Sequence, residues 1–172
     1  MQHPQSSARN GVAEAAAGVL ARLRAKGPRV HCITNAVAQN FTANVLLALG
    51  CVPSMTLSAE EIGFFVARAD ALLVNLGTFD RERREAAAIA IAAAEKRLPW
   101  VLDPVFVDRS APRADFARDL IERGPAAVRL NHAEFSALAG GALSPDALAS
   151  YAAAHNTVMA LSGATDLVSD GG

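Results

Sequence analysis

Charge of one sign is missing from this sequence. Its 172 residues carry 16 Lys and Arg against 17 Asp and Glu, for a net charge of −1. That balance leaves no basic footprint for nucleic acid and no cationic face for an anionic membrane. It suits a small-molecule site better. Long apolar runs are missing as well. The richest region, Ala36 to Leu57, is interrupted by Gln39, Asn40, Asn44, Gly50 and Pro53, so no hydrophobic membrane span is expected. Cysteine is scarce. Cys32 and Cys51 stand far apart in apolar surroundings, and neither belongs to a zinc-type spacing. Both are expected to be reduced core thiols of a cytoplasmic protein. The four histidines, His3, His31, His132 and His155, form no metal-ligand pair at helical spacing. Residues 1–10 are polar, lack the apolar core of a signal peptide and read as a disordered leader.

The common catalytic loops are also absent. No GxxxxGK[ST] occurs, and no GxGxxG follows the first expected strand. There is no GxSxG elbow and no HExxH. A nucleotide, if bound, is not bound through the usual phosphate loops.

What is present is a globular composition, 52% apolar and 19% charged, of a length that suits one domain over 1–172. Apolar strands alternate with helices from end to end. Strands are expected at 29–33, 52–56, 71–75, 100–103, 127–130, 157–161 and 167–169. Helices are expected at 13–26, 37–49, 59–68, 79–97, 114–123, 131–138 and 144–154, with a loop over 105–113. Ser58 and Glu61 have the spacing of a capping box for the third helix. The charge run Asp80 to Glu85 reads as a solvated first turn. The alternation predicts a three-layer α/β fold with a mostly parallel sheet flanked by helices.

Polar groups gather where apolar strands end. Trp100-Val101-Leu102 runs into Asp103 and is stopped by Pro104. Thr34-Asn35 follows the first strand, and Arg129, Asn131 and Glu134 follow the fifth. Ser162 to Asp166 follows the sixth. Each has a bland reading as a cap or turn, and Asn131-x-x-Glu134 has capping-box spacing. Together they occupy one expected sheet edge, where ligands bind in open α/β sheets. Two carboxylates suit a hydrated Mg²⁺, and an arginine fork suits a phosphate. The pattern therefore points to phosphate handling without a P-loop.

The motifs in register resemble the hydroxyethylthiazole kinase family. They are His31-Cys32-Ile33-Thr34-Asn35 with Asn40 and Ala43-Asn44; Ala69-Asp70-Ala71-Leu72 with Asn75-Leu76-Gly77-Thr78; Val101-Leu102-Asp103-Pro104-Val105; Arg129-x-Asn131-x-x-Glu134; and Ser162-Gly163-Ala164-x-Asp166. The resemblance implies a ribokinase-like fold and phosphorylation of the hydroxyl of 4-methyl-5-(2-hydroxyethyl)thiazole by ATP. It also implies a homotrimer with thiazole sites between subunits. Carried over residue by residue, Asn35, Val37 and Met55 would line the thiazole pocket. Arg129 and Ser162 would contact ATP, and Asp103 and Glu134 would organise Mg²⁺ and its waters.

The sequence departs from the family at several places. Phe106-Val107-Asp108-Arg109 stands where the family often has a glycine-containing loop, and Leu130 stands where a glycine usually follows the arginine. The family's glycine-rich segment with its cysteine is expected beyond Gly172, so no catalytic residue is assigned within 1–172. Two rival readings remain open: a thiazole-binding chain that does not transfer phosphate, and a related kinase of another vitamin precursor.

Overall fold

The computed structural model describes residues 4–94 and 97–172. Helix α1 (Pro4–Lys26) leads into β1 (Arg29–Ile33), α2 (Gln39–Ala48), β2 (Val52–Ser54), α3 (Ile62–Val66), β3 (Ala71–Asn75), α4 (Arg81–Ala94) and β4 (Trp100–Asp103). A 3-10 turn (Val107–Arg109) precedes α5 (Ala111–Ile121), β5 (Ala127–Asn131), α6 (His132–Ala139), α7 (Pro145–His155), β6 (Val158–Ser162) and β7 (Leu167–Ser169). The seven strands form one sheet in the order β2-β1-β3-β4-β5-β6-β7. Every neighbouring pair is parallel except β6–β7. The expected α/β architecture with a mostly parallel sheet is therefore present.

The central strands read as apolar because both of their faces are covered. Leu72, Val74, Leu102, Val128 and Leu130 are all buried. Helix α4 packs on β1 and β3 through Ala86, Ala87, Ala90, Ile91 and Ala94, each of them fully buried. Its small side chains let the helix lie close to the sheet. The start of β1 is pinned to the start of β3, where the Arg29 N–H donates to Asp70 at 2.9 Å. Leu102 is 0% exposed, and truncating it to alanine would cost about 2–5 kcal/mol.

Three expectations need correction. Helix α1 reaches back to Pro4, through most of the segment read as a disordered leader; residues 1–3 lie outside the described residues. Proline suits a first helical turn, where its missing N–H has no intrahelical partner. Ser58 does not cap α3. Glu61 precedes that short helix without a capping side-chain bond, and its carboxylate instead accepts from the Thr56 hydroxyl. The 105–113 loop is shorter than expected, because Ser110 with Pro112 starts α5 at Ala111. The expected end of α4 at 95–97 falls partly on residues 95 and 96, outside the described residues. No helix among the described residues is long and apolar enough to cross a membrane.

Candidate active site at the carboxyl edge of the sheet

Strands β1, β3, β4, β5 and β6 run parallel, so their polar last residues emerge on one edge. Sheet register brings them side by side: Asn75 pairs with Asp103, and Asn131 with Ser162. Asn35, just past β1, donates from Nδ2 to Asn75 Oδ1 at 3.1 Å. Asn75 Nδ2 in turn donates to Asp103 Oδ2 at 2.7 Å. On the other side, Arg129 Nη1 lies 3.5 Å from Asp103 Oδ1. A row of amide, amide, carboxylate and guanidinium thus crosses the middle of the edge.

The loop that carries Asn35 is tied down from several directions. Asn35 Oδ1 accepts from the Ala38 N–H at 2.7 Å, and the Ala36 N–H donates to Thr78 Oγ1 at 3.1 Å. Arg83 Nε donates to the Thr34 carbonyl at 3.1 Å. The same arginine pairs with Asp80 at 2.6 Å, and Asp80 accepts the Arg83 N–H at 2.8 Å. The Asp80–Glu85 run is therefore not simply a solvated face: Arg83 is 14% exposed and fixes the loop that carries Asn35. The bonds from Arg83 also hold the Asp80 carboxyl below its ordinary range.

Asp103 is the electrostatic centre of the row. Burial pushes its pKa up, while Arg129 and the Asn75 amide pull it down and the Glu134 charge pushes it up again. Its Oδ1 is buried without a hydrogen-bond partner. Glu134 is 2% exposed. Its Oε2 accepts from the Asn131 N–H at 2.8 Å, and Asn131 Oδ1 accepts from the Glu134 N–H at 3.0 Å. The capping box read from the sequence is present, and a third bond joins it: the Phe106 N–H donates to Glu134 Oε1 at 3.0 Å.

No group of three His, Cys, Asp or Glu suited to a metal occurs among the described residues. The available donors are the orphaned Asp103 oxygen and the adjacent Glu134 carboxylate. That set fits a hard cation that keeps waters and takes its other oxygens from phosphates. It does not fit a cation caged wholly by protein.

Arg129 is half exposed. Ser162, at the end of β6, donates its hydroxyl to the Leu130 carbonyl across a long 3.4 Å. The following turn is closed by the Gly163 N–H donating to Asp166 at 3.0 Å. Asn35, Asp103, Glu134, Arg129 and Ser162 therefore share one edge. Val37 and Met55 lie on its β1–β2 flank. Val37 is 95% exposed and Met55 only half-buried, so one chain alone does not close a pocket around them.

Three residues of this edge carry no site role in the sequence reading: Asn75, which appears there only within a motif, Arg83, read as part of a solvated turn, and Arg113. Asn75 carries the same signal as Asp103, a polar residue ending an apolar strand. Arg113 Nη1 donates to the carbonyls of Leu76 at 2.5 Å and Val105 at 2.9 Å, clamping the loops after β3 and β4. Its guanidinium lies 5.2 Å from the Phe79 ring and 6.0 Å from that of Phe106.

The family model described as "Hydroxyethylthiazole kinase family" matches residues 20–172. A hydroxyethylthiazole kinase of Pectobacterium carotovorum is 45% identical over 170 residues, covering 91% of this chain and 64% of the relative. The hydroxyethylthiazole kinase structure from Pyrococcus horikoshii superposes with a TM-score of 0.82 at 37% identity, over 88% of this chain and 62% of that one. The chain thus spans just under two thirds of the length of these relatives. A pyridoxal kinase structure from Staphylococcus aureus aligns with a TM-score of 0.66 at 16% identity, over 84% of this chain and 69% of that one, a likeness of fold alone.

Proposed function

This chain belongs to the hydroxyethylthiazole kinase family, and from that premise we propose that it serves phosphoryl transfer from ATP to the hydroxyl of 4-methyl-5-(2-hydroxyethyl)thiazole. The product would be the thiazole phosphate used in thiamine biosynthesis or salvage. The carrying observation is the row Asn35–Asn75–Asp103–Arg129 across the carboxyl edge of the sheet. It sets an amide on one flank and a half-exposed guanidinium on the other, with a buried carboxylate between them.

In this reading Asn35, Val37 and Met55 bind the thiazole. Arg129 and Ser162 bind ATP phosphates. Asp103 and Glu134 would hold Mg²⁺ through its waters; when bound, the cation offsets phosphate charge. The alcohol oxygen forms the new P–O bond as the bond to ADP breaks, and the alcohol proton passes to solvent. Phosphoryl transfer of this kind depends mainly on positioning and charge stabilisation. Asp103 is assigned to cation and water, not to taking that proton.

A homotrimer is part of the same proposal. Helix α2 has no buried residue, and Val37, Phe41 and Phe64 are 95%, 73% and 67% exposed. An apolar surface beside the thiazole flank suits burial against another copy. A cytoplasmic location fits the reduced cysteines.

The test is an assay of this chain with ATP, Mg²⁺ and the thiazole alcohol, alongside light scattering for a mass three times 17.9 kDa. Thiazole-dependent ADP release, lost in Asp103→Ala at little-changed thiazole affinity, is the expected result. Because the chain spans 64% of its relative, a second reading is kept: thiazole and nucleotide binding without turnover. Binding of neither ligand would sink both.

A further inference from the structure

Asn75 is 9% exposed and sits at the end of β3, where a polar side chain is costly unless satisfied. Its side chain makes three hydrogen bonds, and their direction is fixed by backbone. The Gly77 N–H donates to Asn75 Oδ1 at 2.9 Å, and a backbone N–H cannot accept. Asn75 Oδ1 is therefore the oxygen, and its NH2 must face Asp103 Oδ2. At the other end, the Ala38 N–H fixes Asn35 Oδ1, so the Asn35 NH2 faces Asn75. Both amide donors point the same way, from Asn35 through Asn75 to Asp103.

Gly77 adds an independent observation. A Cβ there would lie 2.9 Å from Asn35 Cβ, Asn35 Nδ2 and Asn75 Oδ1. The amide pair fills the space that a side chain would need.

We propose that Asn75 is a positioning residue that sets the two halves of the site at one separation, its carbonyl oxygen holding Asn35 and its NH2 holding Asp103. Gly77 is bare so that this pair can close. The role rests on the kinase reading for its consequence but not for its geometry. Asn75→Asp tests one arm of it. The variant keeps an acceptor for Asn35 and Gly77, removes the donor that faces Asp103 and sets a second carboxylate against it. Asn75→Ala removes both arms, and Gly77→Ala pushes them apart.

Steady-state kinetics should show Asn75→Asp lowering kcat at least tenfold with the thiazole KM within about twofold of the parent, because the Asn35 arm survives. Asn75→Ala should lower kcat and raise KM together. Equal factors in KM and kcat for both variants, or unchanged kinetics in Asn75→Asp, would overturn the role. A second readout needs no turnover. Side-chain amide exchange in the parent, followed by NMR, should be at least tenfold slower at Asn75 than at exposed Asn156, and Asn35 protection should persist in Asn75→Asp. Exchange at Asn75 as fast as at Asn156 would remove the proposal whatever the chain phosphorylates. Slow exchange in a chain that binds no thiazole would leave the geometry standing and reject the kinase reading instead.

Discussion

Glu134 is joined to Phe106 by a hydrogen bond that ties two different strand ends together. The Phe106 N–H donates to Oε1 at 3.0 Å, while Oε2 takes the Asn131 N–H at 2.8 Å. One buried carboxylate thus satisfies the loop after β4 and the start of α6. Removing it in Glu134→Ala would orphan two N–H groups and should cost about 2–4 kcal/mol. Glu134→Gln keeps one acceptor oxygen and should cost about half as much. Urea melts of the parent and both variants check the order. Equal stability of all three would show that the carboxylate is not part of the scaffold.

Phe106 itself adopts a left-handed backbone, with φ of 63°. Glycine takes that conformation without a Cβ penalty. The ring still makes contacts, lying 5.8 Å from the Arg109 guanidinium and 6.0 Å from that of Arg113. Comparing Phe106→Gly with Phe106→Ala separates backbone from ring, since both lose the ring and only glycine relaxes the backbone. Glycine should be the more stable of the two by about 1 kcal/mol. Thermal melts showing alanine equal or better would contradict a strained residue.

Arg129 reports on nucleotide affinity. Its side chain is 51% exposed and lies 3.5 Å from Asp103. If it grips a phosphate, Arg129→Ala loses charge-assisted bonds of about 1.5–3 kcal/mol. ATP affinity should fall by roughly 10- to 100-fold, with thiazole affinity and melting temperature little changed. Arg129→Lys should recover part of the loss, because a lysine keeps the charge and not the fork. Titration calorimetry of each ligand separates the two effects. A loss of thiazole binding equal to that of ATP would refute the assignment.

Most of the architecture was legible because strand signals are local. Ala71–Asn75, Arg29–Ile33 and Leu167–Ser169 fall where apolar runs and their punctuation place them. The reversal of β7 was not legible, since partner direction is a tertiary property. Caps were legible where one partner is available and not where several compete. Asn131 and Glu134 find each other, while Glu61 is taken by Thr56 and Ser58 is left out. The candidate site was read as separate strand ends. The bond from Asn75 to Asp103 joins residues 28 positions apart, and only sheet register brings them together. Arg83 was misread for a related reason: a mixed charge run looks solvated until a distant carbonyl, that of Thr34, occupies one of its members.

His31 makes stability depend on pH with a definite sign. It is 0% exposed on β1, its Nδ1 lies 2.8 Å from Ser54 Oγ, and its Nε2 is buried without a partner. Burial lowers its pKa from 6.5, partly offset by the nearby Thr56 backbone. The folded protein therefore prefers the neutral ring, and the unfolded chain binds a proton first as pH falls. The stabilising contribution is complete above the unfolded value and is lost as pH drops through the folded one. Across that window the slope should reach at most about 1.4 kcal/mol per pH unit for this one group. Asp103 acts in the opposite sense, because its raised pKa favours the folded state as pH falls. Denaturant melts at intervals from pH 8 to pH 5 should therefore show the parent losing stability on the acid side. His31→Gln, less stable at pH 8, should lose less over the same range. Parallel curves for the two proteins would place the acid sensitivity elsewhere and mean that the His31 ring takes up its proton alike in the folded and unfolded chain.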